Sequence, residues 1–162
     1  MLFNKGDKIN NYTVAFQLKK GSYAEDYRVK NEVGKTLFLK LINYSHLNRN
    51  QIDDNGHVIE IEIAKRLNHH NLCKYVDSGS IMINGGQCSY IATEYVSSET
   101  LSQKIIRDRE LSVYEIKVIA KSVLSALQYL HSQTIPVIHN EVTMQNVLFN
   151  LVGGFEDLKL ID

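Results

Sequence analysis

A lysine stands inside an apolar run in the first third of the sequence. Lys40 belongs to Leu-Phe-Leu-Lys-Leu-Ile, residues 37–42, which reads as a buried strand. An ammonium group among apolar neighbours is costly unless it is paired, because desolvation opposes the charged form. Glu60 presents the complementary problem, between two isoleucines of a predicted helix. Either residue could face water, but each supplies what the other lacks, and we therefore expect a Lys40–Glu60 pair.

A second group of chemically capable residues lies near the end of the sequence. Residues 137–148 read Val-Ile-His-Asn-Glu-Val-Thr-Met-Gln-Asn-Val-Leu, a polar string between apolar pairs of β type. Loops that carry polar groups between rigid strands are frequent active sites. Asn146 and Asp162 together could hold Mg²⁺, because hard cations prefer oxygen ligands. Taken singly, each could equally be a turn residue.

A predicted β-sheet must position the lysine. Apolar and polar residues alternate from 12 to 19, which predicts a half-buried strand with Tyr12, Val14, Phe16 and Leu18 on one face. Further strands are predicted near residues 27–30, 36–43, 74–83 and 87–95, with an Asn-Gly-Gly hairpin turn at 84–86. A helix between about 51 and 67 interrupts them. The first 95 residues therefore predict a five-stranded antiparallel sheet with one helix.

The character of the sequence changes after Tyr95. Ser112 and Glu115 have the spacing of a capping box, and an apolar stripe at helical spacing follows them. The stripe comprises Ile116, Ile119, Val123, Leu127 and Leu130. Two short strands are predicted near 147–149 and 158–161, joined by a turn at Gly153-Gly154. We expect an α+β fold, with a β-rich lobe over residues 1–96 and a helical lobe over 97–162.

The composition excludes several kinds of partner. Eighteen Lys and Arg balance eighteen Asp and Glu, which argues against nucleic acid as the main ligand. The apolar stretches are too short to span a bilayer, and the first residues lack the apolar core of a signal peptide. Cys73 and Cys88 form no CxxC pair. We therefore expect a cytoplasmic protein with reduced thiols and no membrane or nucleic-acid partner.

These motifs, in this order, resemble a protein kinase from about Tyr12 to Asp162. Residues 37–40 look like the family's V-A-I-K strand, and Glu60 falls where the glutamate of helix αC stands. Residues 67–72, Leu-Asn-His-His-Asn-Leu, are similar to L-x-H-P-N-I, and 90–96 to the fifth strand and hinge. Residues 139–146 align with H-R-D-x-x-x-x-N, and 160–162 with the entry to Asp-Phe-Gly. The resemblance places Helices D and E of the family after the hinge.

The resemblance implies a scaffold for phosphoryl transfer from ATP. Lys40, held by Glu60, would neutralise phosphates, and Asn146 and Asp162 would hold Mg²⁺. Glu141 would orient the hydroxyl group of the substrate. The nucleotide-binding residues would be Gly21, Lys40, Thr93 as gatekeeper, Glu94, Val96 and Leu148.

Several positions depart from the family pattern near the nucleotide. The glycine-rich loop appears as Lys-Lys-Gly-Ser-Tyr-Ala-Glu-Asp, residues 19–26, in which only Gly21 remains. Asp26 takes the place of a valine that packs on adenine, which adds a negative charge near a polyanion. Phe38 replaces a small alanine and would partly fill the adenine pocket. The lysines at 19 and 20 could compensate electrostatically or could be ordinary surface residues.

The catalytic loop departs further. Glu141 stands where the family has aspartate, Asn140 where it has arginine and Thr143 where it has lysine. Glutamate keeps the acceptor chemistry but adds a methylene, and a misplacement of about 1 Å can lower a rate on the order of a hundredfold. We expect any activity to be independent of a phosphorylated activation loop.

Three functions are compatible with these residues. The first is a pseudokinase-like domain that binds ATP and Mg²⁺ weakly or not at all and regulates the protein to which it belongs. The second is an active, atypical serine/threonine kinase that uses Glu141. The third is a small-molecule phosphotransferase of the aminoglycoside or choline kinase type. Partners would be a protein substrate or a fused regulatory or effector domain.

The sequence ends at the aspartate of the Asp-Phe-Gly motif. We expect it to be the N-terminal fragment of a longer protein, inactive by itself because the substrate platform is missing. The apolar stripe of the long helix would then be uncovered, and exposed apolar surface predicts self-association.

Overall fold

The chain divides into two compact units. A computed structural model describes residues 1–150 and 157–162. The first unit comprises Met1–Arg66 and Tyr75–Tyr95, and the second comprises Leu67–Lys74 and Val96–Asp162. The segment Leu67–Lys74, which the sequence assigned to the first lobe, belongs to the second unit. Hydrogen bonds to the last strand of the chain explain this, since Leu72 forms a parallel bridge with Leu160.

The first unit is built on a six-stranded antiparallel sheet. Its strands are β1 (Lys8–Ile9), β2 (Tyr12–Lys20), β3 (Ala24–Lys30), β4 (Thr36–Asn43), β5 (Tyr75–Ile83) and β6 (Gly86–Glu94), in the order β1-β2-β3-β4-β6-β5. The expected α+β architecture is confirmed. The sheet has one strand more than predicted, because β1 pairs with β2 over only two residues, too few to show an alternation in the sequence.

Two bulges interrupt β2 and correct the predicted burial of its second half. The pairing register with β3 shifts between Val14 and Phe16 and again between Gln17 and Lys19. Each bulge adds a residue and reverses which side chains face the core. Phe16 is therefore 56% exposed instead of buried, and Leu18 is also exposed.

The helix of the first unit is shorter than the sequence predicted. Two short 3₁₀ turns, Tyr44–His46 and Arg49–Gln51, precede α1, which covers only Ile59–Arg66. Between the second 3₁₀ turn and α1 the chain reverses: the Asp53 carboxylate accepts hydrogen bonds from two downstream backbone N–H groups, and Gly56 adopts a left-handed φ of 82°. This Asx-type turn competes with helix formation, so α1 begins only after Val58.

Two apolar clusters hold the first unit together, one on each face of the sheet. The larger contains Tyr27, Leu37, Leu39 and Leu41 among its buried members. The smaller contains Ile42, Val58, Ile61 and Ile91, so it joins α1 to the opposite face. Because successive side chains of a strand alternate between faces, Lys40 shares the α1 face with Ile42.

The second unit packs helices against a small sheet. Its elements are β7 (Ser98–Thr100), α2 (Leu101–Asp108), α3 (Val113–His131), β8 (Val147–Asn150) and β9 (Leu158–Leu160), with strand order β7-β8-β9. The predicted capping box begins α3: the Ser112 N–H donates to the Glu115 carboxylate at 2.8 Å, and the Glu115 N–H donates to Ser112 Oγ at 3.2 Å. The predicted turn at Gly153-Gly154 lies outside the described residues.

One side of α3 is buried, and the other carries exposed apolar residues. Ala126 and Leu130 pack with β8 and β9, and Ile119 and Val123 are partly covered by the same cluster. Ile116, which the sequence placed on the buried stripe, is 52% exposed. Among the described residues, no helix is both long enough and apolar enough to cross a membrane.

Candidate functional site

An ion pair joins the strand lysine to the helix glutamate in the first unit. Lys40 Nζ lies 2.8 Å from Glu60 Oε1. β4 presents Lys40 to the sheet face that α1 covers, and the residue is only 8% exposed. The Glu60 side chain retains more contact with solvent. The structure therefore contains the pair that the two isolated charges predicted.

A row of charged residues crosses the sheet beside this pair. Asp26 on β3 lies directly opposite Lys40 on β4 and opposite Lys19 on β2. Directly opposed residues have Cβ atoms roughly 5 Å apart. The Tyr23 ring adds a cation–π contact, with its centroid 5.8 Å from Lys40 Nζ. Together with Glu60, the row holds two ammonium and two carboxylate groups, so its formal charges cancel.

The one remaining glycine of the loop closes the hairpin between β2 and β3. The Gly21 N–H donates to the carbonyl oxygen of Ala24 at 2.8 Å. A Cβ at residue 21 would lie 3.3 Å from that same oxygen, a tight contact with backbone. Gly21 thus has a structural reason to be glycine that is independent of any bound phosphate.

The predicted gatekeeper lies at the end of β6. Thr93 is half-buried and lies directly opposite Phe38 on β4. The larger side chain at 38 therefore stands beside Thr93 on the face that carries Lys40. Glu94, the next residue, lies opposite Leu37.

The other predicted site residues belong to the second unit. Val96 and Leu148 are both half-buried there. Leu148 lies in the middle strand of the small sheet, opposite Thr100 and Lys159. Their predicted contact with nucleotide stays a prediction.

A compact loop carries Glu141. Asn140 adopts a left-handed φ of 63°, and the Glu141 N–H donates to the His139 carbonyl oxygen at 2.9 Å. The Asn146 side chain returns to this loop, where its Nδ2 donates to the Glu141 carbonyl oxygen at 3.0 Å. Asn146 is buried, whereas the Glu141 side chain is exposed. The loop thus fixes the backbone of Glu141 and leaves its carboxylate in solvent.

The second unit also brings Asn146 close to the last residue of the chain. The Ile161 N–H donates to the Asn146 carbonyl oxygen at 2.9 Å, and Val147 pairs with Leu160. Asp162 follows at once, is exposed and has a φ of 68°. These two residues, 16 positions apart in the sequence, therefore lie at the same end of the paired strands β8 and β9.

The donor set of Asn146 and Asp162 fits Mg²⁺. The side-chain Nδ2 of Asn146 donates to the loop backbone, so its side-chain Oδ1 would be the atom that contacts a cation, beside the carboxylate of Asp162. Oxygen ligands suit a hard cation that keeps several waters. Across residues 1–150 and 157–162, no cluster of three or more His, Cys, Asp or Glu could hold a metal. Two protein ligands would therefore need water and phosphate oxygens to complete the coordination.

Two buried polar residues that support β9 were missed by the sequence reasoning. Lys159 is 9% exposed, and its Nζ donates to the carbonyl oxygens of His70 at 2.7 Å and Leu72 at 3.4 Å. Asn71 Nδ2 donates to the Leu158 carbonyl oxygen at 2.9 Å. A lysine between two leucines was the available signal for Lys159, the same signal that identified Lys40.

His69 anchors this segment to α3. Its Nδ1 accepts from the Asn71 N–H at 3.1 Å, its Nε2 lies 3.2 Å from Ser125 Oγ, and its ring stacks on Tyr129 at 5.0 Å. Burial lowers the pKa of His69 below its ordinary value. The neutral ring therefore fits a structural role in holding the segment that supports β9.

Sequence comparison decides the family. The profile of the protein kinase domain family matches residues 12–162. The chain belongs to the protein kinase family. This kinase chain is 34% identical over 151 residues to serine/threonine-protein kinase 10-A of Xenopus laevis, a match that covers 90% of the chain and 14% of that protein.

Other relatives have the same character. Serine/threonine-protein kinase TIO of Arabidopsis thaliana is 29% identical over 157 residues, which cover 95% of the kinase chain and 11% of the relative. Serine/threonine-protein kinase WNK4 of Rattus norvegicus is 31% identical over 95 residues, or 59% of the chain and 8% of the relative. The kinase chain spans only a small part of the length of each of these relatives.

Proposed function

We propose that this kinase-family chain binds ATP with Mg²⁺ weakly at best and serves as a regulatory module of a larger protein. The observation that carries the proposal is the position of Asp26 directly opposite Lys40. In the family pattern this position is an apolar residue against adenine. Here it is a carboxylate, next to the ammonium group that would receive phosphate.

The charge balance around Lys40 argues for weak binding. Lys40 contacts Glu60 at 2.8 Å and has Asp26 across the strand pair, while Lys19 flanks Asp26 on the other side. A phosphate oxygen that approaches Lys40 meets two carboxylates near one ammonium group. Repulsion from an added carboxylate at this range is worth about 1 kcal/mol, or roughly fivefold in affinity. Phe38 beside Thr93 would narrow the space for a base.

The proposed roles of the remaining residues follow from their surroundings. Asn146 and Asp162 would present oxygen atoms to Mg²⁺, which when bound would neutralise phosphate charge. Glu141 would accept the proton of a substrate hydroxyl, but its exposed carboxylate is held only through its backbone. Because phosphoryl transfer depends on positioning, such a base would be inefficient.

A second candidate is an active serine/threonine kinase that uses Glu141. The formed Lys40–Glu60 pair favours it, because that pair is needed to orient ATP in active protein kinases. The relatives described above are named as serine/threonine-protein kinases. Among the contacts of residues 1–150 and 157–162, none favours a small-molecule phosphotransferase.

A nucleotide titration tests the proposal. The 162-residue chain is titrated with ATP, with and without Mg²⁺, in thermal-shift and calorimetric assays, beside Lys40→Ala and a matched control, Lys121→Ala, on the exposed surface of α3. We expect dissociation constants of about 1 mM or weaker for the native chain. We expect Asp26→Val to bind ATP more tightly.

Tight binding would contradict the proposal. A saturable, Mg²⁺-dependent shift at micromolar ATP that disappears in Lys40→Ala but persists in Lys121→Ala would favour the active kinase. Phosphorylation assays with Glu141→Gln and Glu141→Asp would then follow. Loss of phosphorylation activity in Glu141→Gln and a gain of activity in Glu141→Asp would assign Glu141 as the base.

A further inference from the structure

A concentration of positive charge lies at one end of the first unit's sheet, where Arg28 is directly opposite Phe38 and Tyr95 follows Glu94. A cavity of about 370 Å³ opens there. It is lined by Lys5, Ala15, Arg28, Lys30, Thr36 and Tyr95. Three of these six residues are cationic and none is acidic, so the cavity is a candidate anion site.

The geometry of the sheet gathers these side chains. Arg28 and Lys30 are two residues apart on β3 and therefore share a face. Lys30 lies opposite Thr36 on β4, and Arg28 lies opposite Phe16 on β2. Ala15 is the extra residue of the first β2 bulge, and its short side chain leaves the cavity open.

In the part of the chain that the structure describes, none of the three cations, Lys5, Arg28 and Lys30, forms an ion pair with a carboxylate. The Arg28 guanidinium instead lies over two aromatic rings, 5.6 Å from the centroid of Phe16 and 5.9 Å from that of Tyr95. Such stacking orients a guanidinium group while its N–H donors stay available for an anion.

The donor set matches a phosphate group. A guanidinium can bind two phosphate oxygens in a fork, two ammonium groups supply further charge, and the hydroxyls of Thr36 and Tyr95 add neutral donors. The chain as a whole has a formal net charge of zero, so it lacks the broad basic field that attracts nucleic acid or an anionic membrane. A small concave site with local charge suits one phosphate group more than an extended polyanion.

We propose that this cavity binds a phosphate monoester carried on a protein segment, as a phosphoserine or phosphothreonine side chain. Phe16, which is 56% exposed and in contact with Arg28, would receive an apolar side chain next to the phosphorylated residue. A peptide supplies both the phosphate and that apolar neighbour. The proposal is independent of ATP binding at Lys40.

Fluorescence anisotropy with the complete chain tests the proposal, in the absence of ATP. The probe is a labelled pentapeptide with phosphoserine at its centre and leucine on both sides, compared with the same peptide containing serine. We expect binding of the phosphorylated form only. Arg28→Gln should weaken it about tenfold and Lys30→Gln several-fold, because each removes a charge-assisted hydrogen bond. Lys121→Gln, on the exposed surface of α3, is the matched control and should bind as the native chain does.

Each other result overturns the proposal. Equal binding of both peptides would show that the phosphate group is not recognised. Unchanged binding by Arg28→Gln and Lys30→Gln would show that the peptide does not bind in this cavity. If inorganic phosphate competes as strongly as the phosphopeptide, the cavity recognises free phosphate and not a phosphorylated protein segment. If the chain binds vesicles that contain a phosphoinositide but does not bind the peptide, the ligand is a lipid headgroup. Circular dichroism of each variant separates these results from loss of folding.

Discussion

The two ends of one sheet face in the first unit differ in whether acidic side chains balance their cations. At one end Lys40 has Glu60 at 2.8 Å and Asp26 across the strand pair, so its ammonium group is balanced by the chain itself. At the other end Arg28 and Lys30 line a cavity without an acidic residue. Asp26, Arg28 and Lys30 alternate along β3, so the two environments are separated by only one residue that faces the other way.

The comparison shows that total charge says little about where an anion binds. The chain is neutral overall, yet one face of the sheet carries both a lysine balanced by carboxylates and a cavity lined by three cations. Position along the strand and the identity of the opposite residue decide which one attracts phosphate.

Reversal of charge at the basic end should have the largest effect. Arg28→Glu places a carboxylate in the cavity that Lys5 and Lys30 also line, and we expect phosphopeptide affinity to fall about a hundredfold. Fluorescence anisotropy with the phosphoserine peptide measures this change. The same variant should lower ATP affinity far less, by about fivefold at most, because Arg28 lies about 6.6 Å along β3 from Asp26 and its charge is only partly screened at that distance. An equal loss for both ligands would show that the two ends are not separate sites.

Removal of the acid that pairs with Lys40 should have the next largest effect, on stability. Glu60→Gln leaves a lysine that is 8% exposed without its 2.8 Å partner, and we expect the free energy of unfolding to fall by about 2 kcal/mol. Lys40→Met removes the buried charge and should cost less. Urea denaturation measures both variants. A larger loss for Lys40→Met than for Glu60→Gln would contradict this account of the pair.

Removal of the Asp26 carboxylate, which lies opposite Lys40, should have a smaller effect. It makes the charge at the Lys40 end of the sheet face more like that at the Arg28 end. Asp26→Val leaves Lys40 with one carboxylate, and we expect ATP affinity to rise about fivefold. Asp54→Val, in the exposed turn before α1, is the matched control and should change nothing. Calorimetry with Mg²⁺ and ATP measures the change. Equal ATP affinities for native and Asp26→Val chains would exclude Asp26 as the cause of weak binding.

The acid on the other face of β3 should give the smallest effect, seen only at low pH. Burial alone would raise the pKa of Glu25, but hydrogen bonds from the Tyr27 hydroxyl and the Leu2 N–H, with the nearby positive charge of Lys20, hold it below its ordinary value of 4.5. A lowered pKa in the folded state means that this stabilisation is present above the ordinary value and is lost as the pH falls through the lowered one.

Urea denaturation between about pH 7 and about pH 3 measures that loss. We expect Glu25→Gln to lose less stability than the native chain over this range, because the variant has no carboxylate to protonate there. A matched control, Glu32→Gln, changes an exposed acid in the turn after β3 and should follow the native chain. Parallel curves for Glu25→Gln and the native chain would contradict the lowered pKa.

Some parts of the fold and site could be predicted because their signals are local. The capping box of Ser112 and Glu115 needs only a spacing of three residues, and it begins α3 as expected. Lys40 and Glu60 could be paired because each is a charged residue between apolar neighbours in the sequence. The order of the kinase motifs led to the family, which the match over residues 12–162 confirms.

Other parts depend on contacts that no local pattern shows. The bulges of β2 expose Phe16 and Leu18 against the alternation, because pairing with β3 sets the register. The turn at Asp53 delays α1 until Ile59, since side-chain bonds to the backbone compete with the helix. The support that Asn71 gives to β9 spans 87 residues and could not be read from its neighbours.

The sequence by itself determined the antiparallel sheet, the long helix, the family and the pairing of Lys40 with Glu60, because alternation, spacing and buried charge are properties of short segments. Only the tertiary structure decided which residues lie opposite one another. It set Asp26 against Lys40 and gathered Lys5, Arg28 and Lys30 around one cavity. Electrostatic interaction depends on distance in space, and the folded register of the strands determines those distances.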